Sequence, residues 1–386
     1  MVGPVSHVAG IRAVSARPQG RGNRHEAGGI PWGDLLPHSP MALFGRRKQT
    51  LGLDIGSGLV KAVVIDHGGR EPELQRVVLT PLPDSAIVEG EVMDQALVAD
   101  AIRDTVQAAG VKAAHVVAAV GGRDVIIKRI SVDRVKPSQL RELMRFEAEQ
   151  HVPFDMDSVE LDFHLLNPED KDGDMSVLLV AAKRELVVAR RDLVKEAGIA
   201  PAVIDVDTFA LHNAFEANHP EAMRGTVALL NVGHDNTILI VMDAGVPVLT
   251  RDLPVGTRRL REAVQARHGL GAEQAEALLR ADELSPLLDE AVALHGEELA
   301  SGMERAATFL ATTSRNLGQI RAVWACGGGA RVPGFLPWMG ERLRIPVQPA
   351  SALAGLAVAR DALDDLPSDD VAPLLMLSVG LALRAA

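Results

Sequence analysis

The chain has no tyrosine, one cysteine and only 3% aromatic residues among 386. So few aromatic faces argue against a platform on which successive nucleic-acid bases could stack. The formal charge of −11 and a pI near 5.6 argue against a general nucleic-acid binder, which needs a basic surface. A single cysteine cannot form an internal disulfide, which suits a reducing compartment. Cys326 has no evident histidine arrangement around it and reads as a small packed residue. The twelve histidines show no metal spacing such as H-E-x-x-H. No run reaches the ~18 apolar residues that a membrane-spanning helix needs. The apolar stretch Leu374 to Leu383 is too short to span and reads as a buried helix without a basic face.

What the chain does have is glycine in three particular places. Leu51-Gly52-Leu53-Asp54-Ile55-Gly56-Ser57-Gly58-Leu59-Val60-Lys61 sets two apolar strand-like runs around a short polar turn. Backbone N–H groups in such a turn converge into a nest for anions. Asp54 could hold Mg²⁺ through water, and Lys61 could reach a phosphate oxygen. Read alone, the stretch is equally an ordinary hairpin with a solvated aspartate. The pattern recurs at Ala228 to Thr237, at a constant offset of 177 positions: Asp54 with Asn231, Gly56 with Gly233, Asp66 with Asp243, Gly68 with Gly245. Two hairpins of one design suggest two related halves facing each other, with phosphates between the turns. A third element, Val323 to Arg331, is a strand running into Gly327-Gly328-Gly329, where backbone can approach a base or ribose closely. Taken alone it is also a flexible turn.

This trio resembles the actin-like ATPase superfamily. Within it the chain is most similar to the PilM family of type IV pilus assembly, from about residue 49 onward. The likeness rests on Asp54-Ile55-Gly56-Ser57 with Lys61, on Phe146-Glu147-Ala148-Glu149-Gln150-His151-Val152-Pro153-Phe154, on Ala181-Ala182-Lys183-Arg184-Glu185, and on Cys326 to Arg331. The resemblance implies an α/β actin-like fold, with two related domains around a nucleotide cleft and an inserted subdomain of the FtsA/PilM type. It implies ATP with Mg²⁺ as cofactors, with Asp54 at the metal. The expected nucleotide contacts are Asp54, Gly56, Ser57, Gly58, Lys61, Asn231, Gly233, His234, Asn236, Thr237, Gly327, Gly328, Gly329 and Arg331. A helix carrying Glu297, Glu298, Met303, Glu304 and Arg305 would approach the adenosine from the other side. No catalytic residue is assigned. The family usually has an aspartate where this chain has Asn231, so slow or absent hydrolysis is expected. The implied role is a cytoplasmic scaffold at the inner-membrane face that holds the tail of the membrane protein PilN. It would contact other pilus-machine proteins, bind no nucleic acid, and reach the membrane only through partners. A sugar kinase or an FtsA-like division filament are the rival readings of the same fold.

Along the chain, residues 1–48 lack hydrophobic periodicity and are expected to be a disordered extension. Met41 looks like a natural protein start, followed by a solvated Arg46-Arg47-Lys48 cluster. The first domain is expected over 49–124 and again over 200–225, interrupted by a protein-binding unit at 125–199. The second domain is expected over 226–386, with a helical layer at 257–317. Helices are predicted from Asp94 to Ala109 and from Pro137 to His151, each from apolar residues on one face, and from Arg184 to Ala197, stopping at Gly198. A chain beginning at Met41 should melt at the same temperature as the full chain; a drop of several degrees would show that the leader packs against the fold.

Overall fold

The computed structural model describes residues 49–111, 115–167, 173–313 and 318–384; the leader and its expected dispensability lie outside them. The first half contains β1 (Gln49–Ile55), β2 (Leu59–Asp66), β3 (Glu73–Pro81), the short β4 (Ile87–Val88) and β5 (Glu91–Val92), α1 (Gln95–Ala108) and β6 (His115–Val120). The inserted unit contains β7 (Val125–Val132), α2 (Pro137–His151), β8 (Val159–Leu165), β9 (Met175–Lys183) and α3 (Arg184–Glu196). The chain then returns through β10 (Val203–Val206) and α4 (Asp207–Asn218). The second half runs β11 (Thr226–Val232), β12 (Thr237–Asp243), β13 (Val246–Leu253), α5 (Thr257–His268), α6 (Ala272–Leu279), α7 (Asp289–Thr313), β14 (Val323–Cys326), α8 (Phe335–Leu343) and β15 (Val347–Pro349). β16 (Ala357–Val358), α9 (Ser368–Val371) and α10 (Met376–Ala382) close it.

Two sheets carry the halves, in the orders β10-β6-β1-β2-β3-β16 and β13-β12-β11-β14-β15. In each, an antiparallel three-stranded meander continues into parallel strands. The repeat seen in the sequence is kept in the register. Gln49 pairs with Asp66 in β1–β2, and Thr226 pairs with Asp243 in β11–β12. The irregularity at Val64/Ile65 recurs at Val241/Met242, again 177 positions on. A one-residue slip would turn every inward side chain outward, so a shared irregularity means a shared placement of core faces.

The helices start and stop where local chemistry dictates. Asp94 caps α1 by accepting from the Leu97 N–H at 3.0 Å, and Gly110 ends it at φ +71°. α2 begins on Pro137, whose missing N–H costs nothing in the first turn. In the inserted unit, β9 alternates strictly. Val177, Leu179 and Ala181 face the core under α2, whereas Leu178, Val180 and Ala182 join the core of the first sheet. The unit therefore shares a core with the first half.

The end of the chain differs from the expected boundary. Part of the segment beyond β15 crosses to the first half: β16 adds to β3 on the first sheet, and α10 packs on β1, β2 and α4. Two glycines permit this. A Cβ on Gly52 would lie 2.0 Å from the Ser378 carbonyl oxygen, and one on Gly380 would lie 1.7 Å from that of Ala210. α4 is buried nearly all round, as a helix between packed layers must be. One continuous core then joins Val63 and Ile65 of the first sheet, Phe215 of α4, Leu381 of α10 and Leu229 and Ile240 of the second sheet. Gly380→Ala should cost about 3 kcal/mol through overpacking, read as a lower urea midpoint; an unchanged midpoint would mean that α10 shifts freely.

Candidate functional site

The two glycine turns are built alike down to one hydrogen bond. The Gly56 N–H donates to the Leu59 carbonyl at 3.1 Å, and the Gly233 N–H donates to that of Asn236 at 2.9 Å. They differ in charge. Asp54 ends β1 nearly buried, opposite Lys61 in the register, with Lys61 Nζ 2.7 Å from its carboxylate. At the matching places of the second turn, Asn231 stands opposite Ile238. Asn231 Oδ1 accepts from the Cys326 thiol at 3.4 Å, and so faces the third glycine element. Burial drives the Cys326 thiol far above its ordinary range, which keeps it an uncharged packed residue.

In that third element Gly327 adopts φ +80°, and a Cβ there would lie 2.4 Å from the Val232 carbonyl. A Cβ on Gly329 would lie 2.1 Å from the Val232 side chain, whereas one on Gly328 meets nothing within 4 Å. Gly327 and Gly329 thus seat the loop on β11, and Gly328 presents open backbone. Ser57, Gly58 and Asn236 lie in the turns, half-buried. Two expected contacts are placed elsewhere. Thr237 is fully buried and its hydroxyl donates to the Val255 carbonyl at 2.6 Å, so it serves the core. Arg331 pairs with Asp370 of α9 at 3.2 Å. Glu297 and Glu304 of α7 are both engaged by Arg342 of α8, at 2.7 Å each.

A further charged group bridges the halves, and no motif in the sequence marks it. Asp84, between β3 and β4, meets Arg261 of α5 and lies 3.2 Å from His234 Nε2. Burial alone would raise the Asp84 pKa; the hydrogen bond and charge of Arg261 outweigh it and hold the carboxyl below its ordinary range. Asp235 accepts from the Glu89 N–H at 2.9 Å and lies 3.1 Å from Arg258 Nε, so it points across to β4–β5 and away from Asp54. One signal was available: α5 carries Arg258 and Arg259 in a first turn without acids, against the helix dipole, so each guanidinium needs an acceptor elsewhere. Arg259 finds Glu298 at 2.9 Å, and Arg258 finds Asp235.

Beneath the first turn sits a further charged set. Arg190 of α3 reaches the Ile55 carbonyl at 3.5 Å. Desolvation lowers its pKa, against the charges of Asp207 and Asp54. Asp207, opening α4 against Gly121, is raised from the ordinary 3.8 to about 7, first by burial, then by Asp54, with Arg190 opposing. Its neighbour Asp205 is fully buried, donated to by Arg384 at 2.5 Å and the Val206 N–H at 2.7 Å. Because Asp207 holds its proton more tightly when folded, its contribution is whole below the ordinary value and is lost as pH rises through about 7. Asp207→Asn should therefore raise the melting temperature at pH 8, with a gain that fades as the pH falls toward 4; a gain independent of pH would contradict this ionisation.

On the inserted unit, a cavity of about 290 Å³ lies at the end of α2, lined by Arg145, Glu149, Phe154, Asp155, Met156 and Asp157. Phe146, the next residue of α2 after Arg145, is 60% exposed. The family described as "Type IV pilus assembly protein PilM" matches residues 52–386. The chain belongs to the PilM family. Among solved structures it is similar to a PilM-PilN type IV pilus biogenesis complex, with a TM-score of 0.77 and 26% identity over 88% of this chain and 98% of that one. The ethanolamine utilization protein EutJ from Carboxydothermus hydrogenoformans shares the fold, with a TM-score of 0.53 and 16% identity over 90% of this chain and 91% of that one. The fold is thus that of the actin-like ATPases, with a unit of three strands and two helices lying between β6 and β10. Among the described residues no helix is long and apolar enough to cross a membrane.

Proposed function

We propose that this chain is an ATP-binding scaffold of type IV pilus assembly that holds the cytoplasmic tail of a PilN-type inner-membrane protein. The observation that carries this reading is the paired turn geometry within a PilM-family fold. PilN in the similar complex supports the choice of partner. The chain would then work at the cytoplasmic face of the inner membrane through that partner. A sugar kinase needs an acidic base in a substrate pocket of the first domain; of the isolated carboxylates there, Asp205 is spent on Arg384 and the Val206 N–H, and Asp207 is packed against Gly121 beneath the first turn. Nothing in the family assignment favours a division filament.

The donor set fits a nucleotide held chiefly by its phosphates. The N–H groups of the two turns supply anion nests, Lys61 supplies a cation, and Gly328 leaves room beside the nucleoside. Among the described residues no group of three metal-ligating side chains is present. Mg²⁺ accepts this, because it keeps several waters and commonly takes one or two carboxylates with substrate phosphates. Asp54 would be the acidic contact. Bound MgATP would supply charge that both turns can grip, favouring whichever conformation binds it better.

Hydrolysis is expected to be slow or absent. Asn231 keeps a carbonyl acceptor but no negative charge, and Asp235 is turned toward Glu89 and Arg258. Single-turnover phosphate release at saturating MgATP should stay well below ~1 s⁻¹, the low end for phosphoryl-transfer enzymes. Asn231→Asp should be faster; a folded, ATP-binding Asn231→Asp no faster than wild type would show that Asn231 does not limit the chemistry.

The inserted unit is the place proposed for the tail. β7 and β8 are the two edges of its three-stranded sheet, and an extended peptide can add to such an edge. The cavity at the end of α2 and the exposed Phe146 offer charged and apolar contacts on the same unit. Hydrogen exchange with a PilN-tail peptide should protect amides within 125–199 or the adjoining first half. Protection confined to 272–317 would place the partner elsewhere.

A further inference from the structure

We infer that His234, held by Asp84 and the arginines of α5, is a latch that ties the two turns together and must open before a phosphate chain can pass between them. This rests on the nucleotide reading above. A Cβ built on Gly58 would lie 3.0 Å from His234 Cγ and 3.2 Å from Nδ1, so the ring already lies against the backbone of the first turn. Even a methyl there would require the ring to give by a few tenths of an ångström, so a phosphate needs the ring to move aside.

The ring is held from behind. His234 Nε2 lies 3.2 Å from Asp84 Oδ1 and 3.4 Å from Arg258 Nε, so either neighbour can engage it. Arg261 fixes the other Asp84 oxygen, and Arg258 donates to the carbonyls of Asp84 at 2.5 Å and Ile87 at 3.3 Å. The second turn is also tied to α5 by its backbone: the Thr257 N–H donates to Gly233 at 3.0 Å and the Arg258 N–H to His234 at 2.8 Å. With Asp235 bound to the Glu89 N–H, the second turn, the start of α5 and the 84–92 segment form one bonded unit across the cleft. Burial lowers the His234 pKa, against Asp235 and Asp84, so the ring is neutral near pH 7 and its hold comes from hydrogen bonding and packing.

A ligand binds more weakly, by that fraction, to a protein whose competent state is only a minor fraction. Weakening the latch should therefore tighten ATP binding. The test is calorimetric titration of MgATP into wild type, His234→Ala and Asp84→Asn, with amide exchange over 84–92 recorded without nucleotide. Asp84→Asn covers the case in which His234→Ala does not fold, because the Asp84 side chain is 51% exposed. The expected result is about tenfold tighter binding in the variants, with faster exchange at Glu89. Equal or weaker binding in folded variants overturns the latch while leaving the nucleotide reading standing. Absence of binding in all three proteins overturns the nucleotide reading, and the latch with it.

Discussion

The architecture depends on one pair of close backbone approaches, at Gly52 against Ser378 and at Gly380 against Ala210. They seat the last helix between the first strand of the first sheet and the helix that leads to the second. Any side chain at either glycine would push these layers apart. The tight seat gives Leu381 and Val379 full burial and makes one core out of two half-cores. Each large apolar side chain so buried contributes roughly 1.5–3 kcal/mol relative to exposure. The facing of the two glycine turns follows from this shared layer.

Within that frame the two turns have kept geometry and lost symmetry of charge. The hydrogen bond that closes each turn, the strand register behind it and the irregularity farther along recur at a fixed offset. The ion pair of Asp54 with Lys61 is answered by neutral Asn231 opposite Ile238. An ion pair opposite the turn is thus present on one half only. The other half contributes backbone donors, the open face of Gly328, and the arginines that bind Asp84 and Asp235. Such a division suits a protein that holds a nucleotide as a structural bridge better than one that must position a metal and an attacking water from both sides.

Much of this was legible in the chain. The helix from Pro137 to His151 and the strands around it follow from period and punctuation, because their apolar faces meet one local core. The repeat predicted paired turns, because identical spacing forces identical register. Three things were not legible. The return of α10 to the first sheet depends on glycines whose neighbours lie more than 150 positions away. Thr237 and Arg331 sit in motif positions, yet one hydroxyl is taken by Val255 and one guanidinium by Asp370. The Asp84 bridge lies in a Pro-rich turn with no periodic signal, and the arginines that open α5 lead to Asp235 and Glu298, whereas Asp84 meets Arg261 farther along.

The central claim is that the paired turns and the glycine loop grip a nucleotide, and Gly328 tests it most directly. Its added side chain would meet no protein atom within 4 Å, so Gly328→Val should fold normally and project into the space assigned to the nucleoside. The measurement is equilibrium titration of MgATP against wild type and Gly328→Val, with circular dichroism to confirm the fold. The account predicts saturable binding by wild type and clearly weaker binding by the variant. Equal affinity of the two folded proteins, or no binding by wild type, would contradict it.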